Sequence, residues 1–179
     1  MIVVLVVLVG IGLWALMIYN GLVSSRNEVQ NAWSQIDVQL KRRHDLVPNL
    51  VETVKGYAGH EAGTLEAVTK ARGVAVGARG VAQSGQAENA LSSALTSLLA
   101  VAERYPDLKA NQNFLALQEE LSSTENRIGF ARQAYNDAAT RYNTRREVFP
   151  NSLLAGAFTR ADPFQIAEAG DRDVPKVQF

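Results

Sequence analysis

The densest run of chemically capable side chains is Lys41-Arg42-Arg43-His44-Asp45. A cluster of this type could hold a phosphate or a lipid head group. Asp37, Lys41 and Asp45 repeat every fourth residue, so their charges can also pair along one helix face. A solvated or self-paired face is the ordinary state of such runs. His44 and His60 are the only histidines, and the chain has no cysteine. A zinc site needs three or four ligands at suitable spacing, and His60-Glu61 lacks the second histidine of a His-Glu-x-x-His pair. His60 therefore reads as a residue at a helix start. No nucleophile elbow, phosphate-binding glycine loop or pair of catalytic carboxylates is present. No catalytic, cofactor-binding or metal-ligating residue is assigned, and the chain is expected not to be an enzyme. Arg26 and Arg43 stand out differently, because each occupies a position in an apolar stripe. An arginine there either reaches out to solvent or pairs with a carboxylate of another helix. Pairing would set the register of the helices.

The stripe belongs to the stretch from Asn20 to Tyr57. Leu22, Val29, Trp33, Ile36, Leu40, Val47, Leu50, Val54 and Tyr57 are separated by threes, fours and their sums, the spacing of one helix face. Pro48 interrupts the helix interior. The stripe stays in phase on both sides, which predicts a bend near 43–47 and not an end. Gly56 and Gly59 close the helix. A second, glycine-rich helix is predicted over about 60–80, with Leu65, Val68 and Ala75 inward. A turn over 81–86 carries Ser84-Gly85. A third helix over about 86–105 places Leu91, Leu95, Leu98 and Ala102 inward, up to Pro106-Asp107. The fourth, over 107–149, holds the longest heptad seam: Phe114, Leu117, Leu121, Thr124, Ile128, Ala131, Tyr135, Ala138, Tyr142 and Arg145. Pro150 ends it, and the tail to Phe179 is predicted to be partly irregular.

Ile2 to Tyr19 has no charged side chain and is rich in Val, Leu and Ile. It would be roughly 27 Å long as a helix, close to the thickness of a hydrocarbon core. A cleaved signal peptide needs a basic leader and a small-x-small site. Neither is present, so an uncleaved anchor is predicted. Arg26 and the Lys41 cluster follow the span while its other flank is uncharged, which favours a cytoplasmic body. The 18 basic and 18 acidic residues balance, so nothing in the charge points to nucleic acid.

The expected fold is all-α: a transmembrane helix (1–19) continuing into an elongated antiparallel four-helix bundle (20–149) with two long and two short helices. The tail (150–179) would lie near the membrane surface. On these lengths the Lys41 cluster sits about 30 Å from the membrane end of the helix, too far for a lipid head group. The membrane-proximal part of the bundle would hold only the two long helices. Trp33, Ile36, Tyr135 and Tyr142 would then form an exposed apolar strip, which is the surface on which a homo-oligomer is expected.

The runs from Tyr19 to Val23 and from Arg26 to Tyr57 resemble the LemA family. Tyr105-Pro106-Asp107-Leu108-Lys109-Ala110 and Phe149-Pro150-Asn151-Ser152 extend the resemblance over nearly the whole chain. It implies a single-pass protein of the bacterial cytoplasmic membrane with an antiparallel helical bundle, and a family without an established enzymatic activity. It transfers no site residue and no cofactor. Two functional readings remain: a self-associating structural or scaffolding protein, partnered by the bilayer through residues 2–19, or an accessory subunit docking on a membrane enzyme or exporter.

Overall fold

The computed structural model describes residues 1–165. All regular structure among them is helical. Five α-helices follow in order: α1 Ile2–Lys55, α2 Ala62–Gly77, α3 Gly80–Ala102, α4 Pro106–Lys109 and α5 Gln112–Glu147. Two short 3-10 turns, Asn151–Leu153 and Ala155–Ala157, follow α5. The residues beyond Gln165, and the part of the expected tail that they form, lie outside the described chain.

Helix α1 continues through Pro48 without interruption, as the in-phase stripe requires. It ends at Lys55, and Tyr57 is exposed instead of closing the stripe. The Tyr57 amide bonds the Val54 carbonyl in a tighter turn, and the buried Ala58 takes the inward place. Four helices are expected from sequence, and the fifth arises at Asn111. Its side-chain oxygen accepts the Phe114 amide at 3.0 Å, which is how a cap starts a new helix. The expected single helix over 107–149 is thereby split into α4 and α5. The turn predicted over 81–86 is also displaced. The chain reverses at Ala78-Arg79 and Gly80, whose φ of 74° is open to glycine at little cost. Ser84 and Gly85 lie buried inside α3. A Cβ at Gly85 would fall 2.8 Å from the Gln165 carbonyl oxygen, so the glycine is needed there for close approach.

Packing divides the chain into two units. One comprises Val38–Gly129 with the chain from Phe164. Its core draws Val47, Leu50 and Val54 from α1, Leu65 and Val68 from α2, Leu91, Leu95 and Leu98 from α3, Leu108 from α4, and Phe114 and Leu121 from α5. Each such side chain contributes about 1.5–3 kcal/mol on burial. Tyr57 apart, the stripe positions of α1 in this unit are the positions that pack, and Leu108 joins them without having been read from the spacing.

The other unit comprises Met1–Asp37 and Phe130–Pro163. Leu22, Tyr142 and Phe158 form its apolar centre, with Ile18, Val23, Val29 and Ala161 against them. Trp33 meets Tyr135 edge-on at 5.6 Å. The described part of the tail is fastened along α5 by its main chain. Tyr142 donates to the Thr159 carbonyl at 2.8 Å, Tyr135 to that of Asp162 at 2.8 Å, and Arg146 to that of Phe158 at 2.8 Å. Asn143 both donates to the Ala161 carbonyl and accepts from its amide. The described part of the expected tail, from Pro150 to Pro163, belongs to the packing of this unit.

Residues 2–19 lie at the start of α1, and its apolar window is not buried against the rest of the protein. Among the described residues α1 is the one helix long and apolar enough to cross a membrane.

Candidate functional site

Arg43 is completely buried on α1. Its stripe position aims it into the core of the unit that begins at Val38. A guanidinium cannot shed its charge there, so it needs counter-charges and acceptors. Glu88 of α3, 1% exposed, supplies both. One Glu88 oxygen accepts from Arg43 Nη2, and the other accepts from His44 Nε2 at 2.7 Å. Arg43 Nη1 donates to Glu125 of α5 at 2.6 Å and to Ser92 Oγ at 3.0 Å. Arg43 thus ties three helices through one side chain.

The electrostatics follow from these contacts. Burial opposes the charge on Glu88, but the His44 hydrogen bond and the Arg43 charge outweigh it and hold its carboxyl below its ordinary 4.5. Burial likewise opposes the charge on Arg43, and Glu88 with Glu125 more than restores it. Arg43 Nε and Gln39 Oε1, one turn apart on α1, are the buried side-chain atoms without a hydrogen-bond partner among the described residues.

Pro48 adds a second tie. It has no amide hydrogen, so the carbonyl four residues earlier, that of His44, loses its helical donor. Arg72 of α2 supplies one, with Nε 2.7 Å from the His44 oxygen. His44 is therefore held by its ring to α3 and by its carbonyl to α2. A cleft of about 400 Å³ opens beside Pro48, lined by Val47, Val51, Glu52, Lys55, Thr69 and Arg72. Among them, the Thr69 hydroxyl donates to the Leu65 carbonyl at 2.9 Å.

The predicted residues fall as follows. Arg43 is paired with carboxylates of other helices, one of the two alternatives for it, and Arg26 is exposed to solvent. Within the Lys41 cluster, Lys41 and Asp45 are exposed and Arg42 bonds Glu120 at 2.7 Å. His60 lies exposed in the turn before α2. No group of three His, Cys, Asp or Glu placed to hold a metal occurs among the described residues. The strip of Trp33, Ile36, Tyr135 and Tyr142 is not exposed: the last three are buried and Trp33 is half-buried. The chain's own tail, bonded to Tyr135 and Tyr142, occupies the face that was expected to receive a second copy.

Glu88, Ser92 and Glu125 escaped the sequence reading. Glu88 was findable, since it precedes Leu91 by one turn on the inward face of α3 and matches the misfit of Arg43. Glu125 follows the buried Thr124 in the α5 seam, where its neighbours give no such hint.

Residues 32–179 match the family model described as LemA family. The chain belongs to the LemA family. Relatives of this LemA-family chain include Magnetosome protein MamQ 2 of Paramagnetospirillum magneticum, 31% identical over 189 residues, covering 89% of this chain and 69% of that protein. Magnetosome protein MamQ of Magnetospirillum gryphiswaldense is 26% identical, with 89% and 69% covered. Protein LemA of Metamycoplasma hominis is 29% identical over 140 residues, 76% of this chain and 63% of its own. With its apolar first helix and these relatives, the LemA-family chain is a membrane-associated helical protein.

Proposed function

We propose that the chain is a single-pass structural protein of the bacterial cytoplasmic membrane that self-associates in the plane of the bilayer. The observation that carries this reading is α1 itself, one unbroken helix from Ile2 to Lys55. Its apolar start has the length of a hydrocarbon core, and its end supplies stripe residues to a packed core. A helix of this kind joins a packed body to a membrane anchor. The body in this reading is an antiparallel bundle of α1, α2, α3 and α5, the helices whose side chains meet in one core. Arg26 and the Lys41 cluster on the body side favour its cytoplasmic placement.

The buried ionisable groups support a structural role over a catalytic one. Arg43 and His44 are both bonded to Glu88, so these three buried groups are engaged in holding helices together. Phe130 on α5, 75% exposed, offers an apolar contact for a neighbour, and an anchor holds such neighbours parallel and close.

The deciding experiment is native mass spectrometry after gentle extraction of the full chain. A homo-oligomer of defined size is the expected result. A monomer would refute self-association. A second protein at fixed stoichiometry would move the assignment to an accessory subunit of a membrane enzyme or exporter.

A further inference from the structure

We infer that Val148, Phe149 and Leu153 form a second membrane contact, a wedge in the head-group and upper acyl layer of the bilayer that α1 enters. The inference rests on the anchored reading above and deepens it. Phe149 is 79% exposed and Leu153 67% exposed, and Val148 is open beside them. Three large apolar side chains left open within six residues mark a contact surface.

The level of the patch identifies its occupant. Within the unit that contains them, α1 and α5 run antiparallel. Tyr135 meets Trp33. Further along α5, Arg145 donates to Ser25 and lies across Gly21, further back along α1. The next turn of chain brings Val148 and Phe149 level with Tyr19, the last residue of the uncharged apolar stretch. A second contact reports the same level independently: the Phe158 ring packs edge-on against Tyr19 at 5.5 Å. The chain on both sides of the patch is therefore at the mouth of the span. Between them, the Ser152 amide bonds the Val148 carbonyl and the Leu153 amide bonds that of Pro150. These turns leave Phe149 and Leu153 facing outward.

The surrounding charge fits a lipid surface. Arg145, Arg146 and Arg160 flank the patch, and Glu147 is the acid among them, 3.9 Å from Arg146 and 3.7 Å from Arg160. The excess is positive, which suits anionic head groups. Large apolar side chains rimmed by arginine at this depth are the composition of an interfacial anchor. A second attachment would also fix the rotation of α1 about its own axis, which a single span leaves free.

The chain has no native cysteine, so single nitroxide labels report one site each. Phe149→Cys, Leu153→Cys, Val38→Cys and Leu8→Cys are labelled in the full chain and placed in vesicles of phosphatidylethanolamine and phosphatidylglycerol. All four positions are exposed, so the labels spare the packing. The ratio of oxygen to nickel-chelate collisions should be several-fold higher at 149 and 153 than at 38. Equal ratios at the three positions would overturn the wedge. Low collision with both reagents at 149 and 153 would mean protein cover, such as a second copy, and would overturn it too. A water-exposed label at Leu8 would show instead that the anchor reading had failed, and the wedge would fall with it.

Discussion

Replacing Arg43 with methionine isolates what the buried ion pair does. The change keeps most of the side-chain volume and removes the guanidinium. Glu88, at 1% exposure, then retains His44 as its hydrogen-bonding partner for one oxygen and nothing for the other. Glu125 suffers less, because its side chain is 42% exposed and can turn to water. Breaking a buried pair from one side costs about 3–5 kcal/mol. The solvent access of Glu125 and the remaining His44 bond place Arg43→Met at the lower end, about 3 kcal/mol.

The double variant Arg43→Met/Glu88→Leu removes both charges and keeps the core filled. Apolar replacement of a whole buried pair is neutral or stabilising. His44 loses its acceptor, worth about 1 kcal/mol, so the double variant should lie within roughly 1 kcal/mol of the native chain. The more heavily substituted protein is thus expected to be the more stable of the two. Denaturant titration in mild detergent, followed by circular dichroism of the helices, reads both values. The reasoning fails if Arg43→Met costs less than about 1 kcal/mol, or if Glu88→Leu adds to the loss instead of reversing it.

Two further outcomes are expected. Glu88 is held below its ordinary 4.5 by His44 and Arg43 against the push of burial. The stability it contributes is therefore fully present above pH 4.5 and is lost as pH falls through its lower native value. The unfolding midpoint should drop more steeply below that pH in the native chain than in Glu88→Gln, and parallel curves would contradict the assignment. Arg72→Ala should cost about 1–3 kcal/mol by orphaning the His44 carbonyl. In a Pro48→Ala background the restored backbone amide reaches that carbonyl, and the same substitution should cost little. Thermal melts of the four proteins decide it, and an equal loss in both backgrounds would break the link between Pro48 and Arg72.

The legible part of this chain was the part written in side-chain periodicity. Leu22, Ile36, Leu40, Val47, Leu50 and Val54 fall on one stripe and all are buried. The stripe also exposed Arg43 as a misfit that either reaches solvent or pairs with a carboxylate of another helix. Its partner Glu88 lay inside the predicted third helix, one turn before Leu91, but the inward face of that helix was read from apolar positions alone. Pro48 was half legible. A proline inside a helix announces an orphaned carbonyl four residues back, but not which of the nearby arginines answers it. The tail was illegible for a different reason. Tyr135, Tyr142, Asn143 and Arg146 grip main-chain atoms of the tail, which every sequence presents alike. A main-chain contact leaves no spacing to read. The strip of Trp33, Ile36, Tyr135 and Tyr142, expected to be open, is covered within the chain, with tail main-chain atoms bonded to Tyr135 and Tyr142. Any surface for a neighbouring copy must therefore be sought among side chains that the tail leaves open, of which Phe130 is the largest on α5.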